Sequence, residues 1–73
     1  MSLCTVDKTI ERIKQTEPEE PVAVFKRGDC FDVVYSSTYK TQQLIKAGDA
    51  GYIGEFSKIS NIVSVVDKLS KAL

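Results

Sequence analysis

Seventy-three residues hold one small core, since domains typically run to about 100–150 residues and two cores cannot be cut from half of that. Ten Lys and Arg balance ten Asp and Glu, so no net field draws the chain to polyanions or acidic membrane surfaces. At 42% hydrophobic and 27% charged the composition excludes disorder, and the absence of His removes the commonest general base and metal ligand.

Leu3, Val6, Ile10 and Ile13 fall at i, i+3, i+7 and i+10, which lines one side of a helix, with Thr5 as N-cap and Asp7 set favourably against its dipole. The pattern stops at Thr16. Glu17, Glu19 and Glu20 then mix with Pro18 and Pro21, and proline disfavours helix at the residue before it, so this acidic stretch is a connector.

Val22–Lys26 and Phe31–Tyr35 are rich in β-branched and aromatic residues, and Gly28-Asp29 between them is a two-residue hairpin turn. That turn pairs Arg27 with Cys30, Lys26 with Phe31, Phe25 with Asp32, Val24 with Val33 and Val22 with Tyr35. One face then carries Val22, Val24, Phe31, Val33 and Tyr35. The other carries Ala23, Phe25, Arg27, Cys30, Asp32 and Val34, too apolar for open water and too charged for a deep core. It asks for partial cover by a helix of the chain or by a second chain. Arg27 and Asp32 lie diagonally and are placed to pair.

Ser36, Ser37 and Thr38 are N-cap residues for a short helix over Tyr39–Ala47, with Leu44 and Ile45 inward and Gly48 closing it. Tyr52–Phe56 reads as a third strand at a sheet edge. Ser57 or Ser60 opens the last helix, whose Ile59, Ile62, Val63, Val66, Leu69 and Leu73 make the strongest apolar stripe in the chain. Its β-branched residues give little intrinsic helix propensity, so packing must hold it. The sum is a single α+β domain over residues 1–73. Its order is α-β-β-α-β-α, with three helices on a three-stranded, mainly antiparallel sheet, mixed if the third strand returns parallel to the second.

No site for catalysis emerges. Asp7, Glu11, Asp29, Asp32, Asp49, Glu55 and Asp67 sit on separate elements without acid–base or hard-metal spacing, and Cys30 beside Arg27 has no His to activate it. No metal and no cofactor is expected. A single possible bridge between Cys4 and Cys30 is thin for a disulfide-built scaffold, so both thiols read as reduced and the compartment as cytoplasmic. The first residues lack the basic-then-apolar form of a signal peptide, and no run reaches the ~18 apolar residues of a membrane span.

Two functional readings follow. The first is a non-catalytic protein-binding module, an inhibitor, adaptor or regulator of the kind viruses and mobile elements encode. It docks on another protein, a second copy included, through Phe25, Arg27, Cys30, Asp32 and Val34. The second is a small anionic-ligand binder, for phosphate or a nucleotide, at Ser36, Ser37, Thr38, Tyr39 and Lys40, where a helix N-terminus offers free N–H groups with no acid in its first turn. Nucleic acid comes last, as a basic strip of Lys40, Lys46, Lys58, Lys68 and Lys71 is interrupted by Asp67. The closing segment GEFSKISNIVSVVDKLSKAL after a sheet loosely resembles double-stranded RNA-binding domains. Only Lys58 stands where that family has several lysines, and a helix intervenes between strands two and three, so the chain is not assigned to it.

Overall fold

The computed structural model describes Ser2 to Leu73. The expected order of three helices and three strands is present, with a two-residue strand added at the start. The elements are β1 (Ser2–Leu3), α1 (Val6–Lys14), β2 (Val22–Arg27), β3 (Cys30–Tyr35), α2 (Tyr39–Lys46), β4 (Tyr52–Phe56) and α3 (Ile62–Lys71). Leu3 therefore belongs to a strand and not to the helical line of Val6, Ile10 and Ile13. Thr5 does cap α1, its hydroxyl oxygen accepting from the Lys8 N–H at 3.1 Å.

The β2–β3 hairpin sets the frame. Gly28 takes φ +60° while Asp29 keeps a negative φ, the two-residue turn with glycine at its first central position. The predicted register follows in full, from Arg27 opposite Cys30 to Val22 opposite Tyr35. The strand order is β1-β3-β2-β4, and every neighbouring pair is antiparallel. The sheet is therefore not mixed: β4 lies at an edge, as expected, but pairs with the first hairpin strand. Its register shifts at Val24/Phe25, so Phe25 faces Tyr52 while Val24 faces Gly54.

The first sheet face builds the main core. Val22, Val24, Phe31 and Val33 pack there with Ile10 and Ile13 of α1, Phe56 of β4, and Val65 and Leu69 of α3. Ala23 and Phe25 project to the second face and are buried as well, Phe25 to 1% exposure. Cover on the second face includes Tyr52 of β4, against the Phe25 ring, and the turn after α2, which Arg27 binds through Asp49. In α2, Thr41 is buried and Leu44 and Ile45 are half-buried. Helix α2 ends at Ala47, with Gly48 one residue beyond at φ +73°. The Gly48 N–H donates to the Ile45 carbonyl and the Asp49 N–H to the Leu44 carbonyl, a paired closure that satisfies the last carbonyls and reverses the chain.

One expectation is overturned by the sheet's edge. The β1–β3 register sets Ser2 opposite Asp32 and Leu3 opposite Phe31. Continued by one residue it brings Cys4 against Cys30, and the two are joined in a disulfide across 26 residues of sequence, with Cα atoms 4.0 Å apart. The cysteines are not reduced thiols, and the ground for a cytoplasmic compartment falls with them, since such bridges persist in oxidising environments. Sequence spacing alone did not reveal the bridge because β1 is too short to read.

A loop of this length makes the bridge worth about 3 kcal/mol by constraining the unfolded chain. Reduction is thus expected to lower the unfolding midpoint by roughly 10 °C or more for a domain of this size. Thermal melts with and without a phosphine reductant check this, and an unchanged midpoint together with two alkylatable thiols in the untreated, denatured protein would contradict it.

Candidate functional site

Three surfaces compete for the role: the second hairpin face, the β3–α2 junction and the outer side of α3. The first is closed by the chain itself. Phe25 lies under Tyr52, ring centroids 5.4 Å apart, and under the Arg27 guanidinium 5.0 Å from its ring centre. Arg27 does not pair with Asp32. It reaches Asp49 in the turn after α2, Nη1 donating to Oδ1 at 2.9 Å and Nη2 to Oδ2 at 2.8 Å. Asp49 Oδ1 also accepts from the Gly51 N–H at 2.8 Å, while the Gly51 carbonyl accepts from the Lys26 N–H at 2.7 Å. A Cβ at Gly51 would stand 2.5 Å from the Lys26 carbonyl oxygen, so this close approach requires glycine. The result is a latch that holds the α2–β4 turn over the hairpin.

Of the residues expected to bind a partner, Phe25 is buried, Cys30 is bridged, Arg27 is latched, and Asp32 and Val34 are half-buried. They share one face, but as internal cover and not as an open anchor. The latch also tunes its own groups. Hydrogen bonding from Arg27, then from the Gly51 N–H, holds the Asp49 carboxyl below the ordinary carboxylate range, and the same pair raises Arg27. Burial pushes the Tyr52 phenol up.

The junction after β3 is open. Thr38 is the N-cap of α2 but makes no side-chain cap bond, and no acid lies in the first turn. Gln42 Nε2 reaches back to the Ser36 carbonyl, and the Ser36 hydroxyl is buried without a hydrogen-bond partner. Here a groove of about 320 Å³ runs along the strand. Its floor is Val33 to Tyr35, one wall is Thr38, Lys40 and Thr41, and the other is Arg12 of α1. Of the five residues proposed as ligand contacts, the structure places Thr38 and Lys40 on this groove. Ser36 is buried, and Ser37 and Tyr39 are exposed, Tyr39 to 78%. Arg12, whose guanidinium sits 5.9 Å from the Tyr35 ring centre, gave no sign of this role in the sequence, where it reads as one more solvated helix residue.

Helix α3 departs most from expectation. Asn61, not Ser57 or Ser60, caps it, its Oδ1 accepting from the Val63 and Ser64 N–H groups. Ser57 and Ser60 instead close a turn on each other, which leaves Ile59 ahead of the helix. Only Val65 and Leu69 are buried, with Ala72 beside them, so the inward line lies to one side of the predicted stripe. Ile62 and Val66 are exposed, and Ile59, Val63 and Leu73 are 70–78% exposed. Asp67 pairs with Lys71 at 3.0 Å and Lys68 rests over the Phe56 ring, so the lysines of α3 do not form a free basic strip.

Among the described residues no three His, Cys, Asp or Glu side chains gather as metal ligands, and no helix is long and apolar enough to cross a membrane. Comparison with protein-family models, characterised proteins and solved structures returns no match.

Two outcomes test the closed hairpin face. Phe25→Ala should cost about 3–5 kcal/mol in denaturant unfolding, the loss typical of a buried ring, whereas an exposed anchor would cost under about 1 kcal/mol. The Asp49 carboxyl has a lower pKa folded than unfolded, so its contribution is present in full above the unfolded value. It is lost as pH falls through the folded value. The stability gap between wild type and Asp49→Asn should be constant above about pH 5 and shrink below about pH 4, a pH-independent gap in paired melts being the contrary result.

Proposed function

We propose that the chain is a non-catalytic protein-binding module, an inhibitor, adaptor or regulator, and that its partner surface is the outer side of α3. One observation carries this reading: Ile62, Val63 and Val66 are exposed on the closing helix, and Ile59 before it and Leu73 after it are exposed as well. Scattered exposed apolar residues are ordinary, but three within the first turns of one helix, with two more close to its ends in sequence, are of the kind that marks an interface. Ile62, Val63 and Val66 stand at i, i+1 and i+4, the spacing with which an amphipathic helix seats its anchors in an apolar groove. A domain of this size also has little core to spare, which makes burial by a partner thermodynamically useful. The occupant that this surface fits is another protein's apolar groove, a second copy being the special case of a homodimer.

The test compares wild type with Ile62→Ser/Val63→Ser. Those side chains lie outside the core, so the variant should melt within a few degrees of wild type, surface changes costing about 0.5 kcal/mol each. Sedimentation at rising concentration and cross-linking capture from the native host should show association for wild type and its loss for the variant. A wild type that stays monomeric and captures nothing, or captures the same proteins as the variant, would overturn the reading.

A second reading, an anionic small-ligand site, is favoured by the groove at Thr38 and Lys40, to which Arg12 adds a cation from a separate helix. Phosphate or nucleotide should then raise the unfolding midpoint, with a ligand at 100 times its dissociation constant worth about 2.7 kcal/mol. No shift across such a panel removes it.

A further inference from the structure

We propose that the Cys4–Cys30 bridge is a thiol-exchange site, open in the folded protein to small thiols such as glutathione, and that its opening loosens the start of α1 while the core stays packed. The bridge lies at the rim of the fold. Cys4 is exposed and Cys30 half-buried, and the main core closes around apolar side chains of α1, β2, β3, β4 and α3 with neither cysteine among them. A bridge sealed in a core meets a reductant only when the chain opens, whereas an exposed one is attacked in place and belongs with the labile, regulatory kind.

What the bridge holds follows from its two ends. Cys30 comes directly after the Gly28-Asp29 turn, and Cys4 directly before Thr5, the N-cap of α1, so the sulfurs pin the start of the helix to the tip of the hairpin. Thr5 carries three hydrogen bonds of the first turn. Its hydroxyl oxygen accepts from the Lys8 N–H at 3.1 Å, and its carbonyl accepts from the Thr9 N–H at 3.1 Å and from the Thr9 hydroxyl at 2.8 Å. Leu3 and Val6, on either side of Cys4 and Thr5, are only half-buried, while Ile10 and Ile13 further along are anchored in the core. Opening the bridge therefore acts on the first turn of α1 and spares the second half of the helix.

Exposure also selects the sulfur that is attacked. The charges around Cys30 are of both signs, with Arg27 opposite it in the hairpin and Asp29 and Asp32 close in sequence, and Arg27 is already held by Asp49. Electrostatics thus gives neither sulfur a clear lead, and Cys4 is the more open of the two. A glutathione thiolate bonds to Cys4 Sγ as the Cys4–Cys30 bond breaks, and Cys30 leaves as a thiolate that takes up a proton. A second glutathione attacks the mixed disulfide, which frees Cys4 and yields glutathione disulfide, so two electrons pass from two thiols to the bridge.

The test uses the intact oxidised protein without denaturant. Glutathione is added near neutral pH, samples are quenched in acid and alkylated, and peptide mass spectrometry locates the sulfurs. Reduction should run within about tenfold of the rate for the same protein in guanidinium, with the first glutathione on Cys4. In the reduced protein the Lys8 and Thr9 amides should lose their heteronuclear NOE, while the Val24 and Leu69 methyls keep their dispersed shifts. Protection of the native bridge by about a thousandfold or more overturns the proposal, because the bridge then opens only on unfolding. First capture of glutathione on Cys30 overturns it too, as does loss of the Val24 and Leu69 dispersion on reduction, which would make the bridge part of what holds the core. None of these readouts involves Ile62 or Val63, so the outcome is independent of the α3 surface.

Discussion

The hairpin is apolar on both faces, and this constraint shapes the rest of the molecule. Val22 and Val24 turn one way, Ala23 and Phe25 the other, and all four are buried. Leaving a phenylalanine and its neighbours in water would forfeit about 2–3 kcal/mol for the ring alone. Both sides of one small sheet must therefore be covered. Helices α1 and α3 share the first, while Tyr52, Arg27 and the turn after α2 lie over the second.

That division explains both the latch and the exposed patch. Helix α2 is eight residues long and buries only Thr41 fully, with Leu44 and Ile45 half-buried, so it has little apolar packing of its own. Arg27 and Asp49, with Gly51 at close approach, supply what packing lacks by tying the helix's exit turn to the hairpin. Bidentate geometry suits this, because it fixes direction as well as distance. On the first face α3 must share the sheet with α1, whose Ile10 and Ile13 already fill part of it. Only a narrow line of α3, Val65 and Leu69, reaches the core. The rest of its apolar half-circumference has nowhere to go, and the surface at Val63 is the consequence.

Much of this was legible in the residues. The Gly28-Asp29 turn fixes the hairpin register to the residue, Thr5 announces the first helix, and the Ser/Thr run after β3 marks the second. What escaped has physical reasons. Apolar residues span half of α3, so periodicity identifies a helix without saying which part of that half turns inward, and Asn61 as the cap was hidden among serines. The partner of Arg27 depended on how the chain returns after Gly48, a tertiary matter that favoured Asp49 over the nearer Asp32. Strand β1 has two residues, too few for any pattern, and with it went the pairing of Cys4 and Cys30. Arg12 became part of a groove only through the fold, which sets α1 beside the end of β3 and brings the guanidinium near the Tyr35 ring.

The claim on which this account rests is that the hairpin's second face is sealed by the chain itself while the outer side of α3 is open. Solvent paramagnetic relaxation enhancement on a dilute, isotope-labelled sample measures both at once. The account predicts strong broadening of the Ile59, Val63 and Leu73 methyls, with the Ala23 methyl and the Phe25 ring protected to the level of Val24. Strong broadening at Ala23 and Phe25, with the Val63 methyls protected, would contradict it.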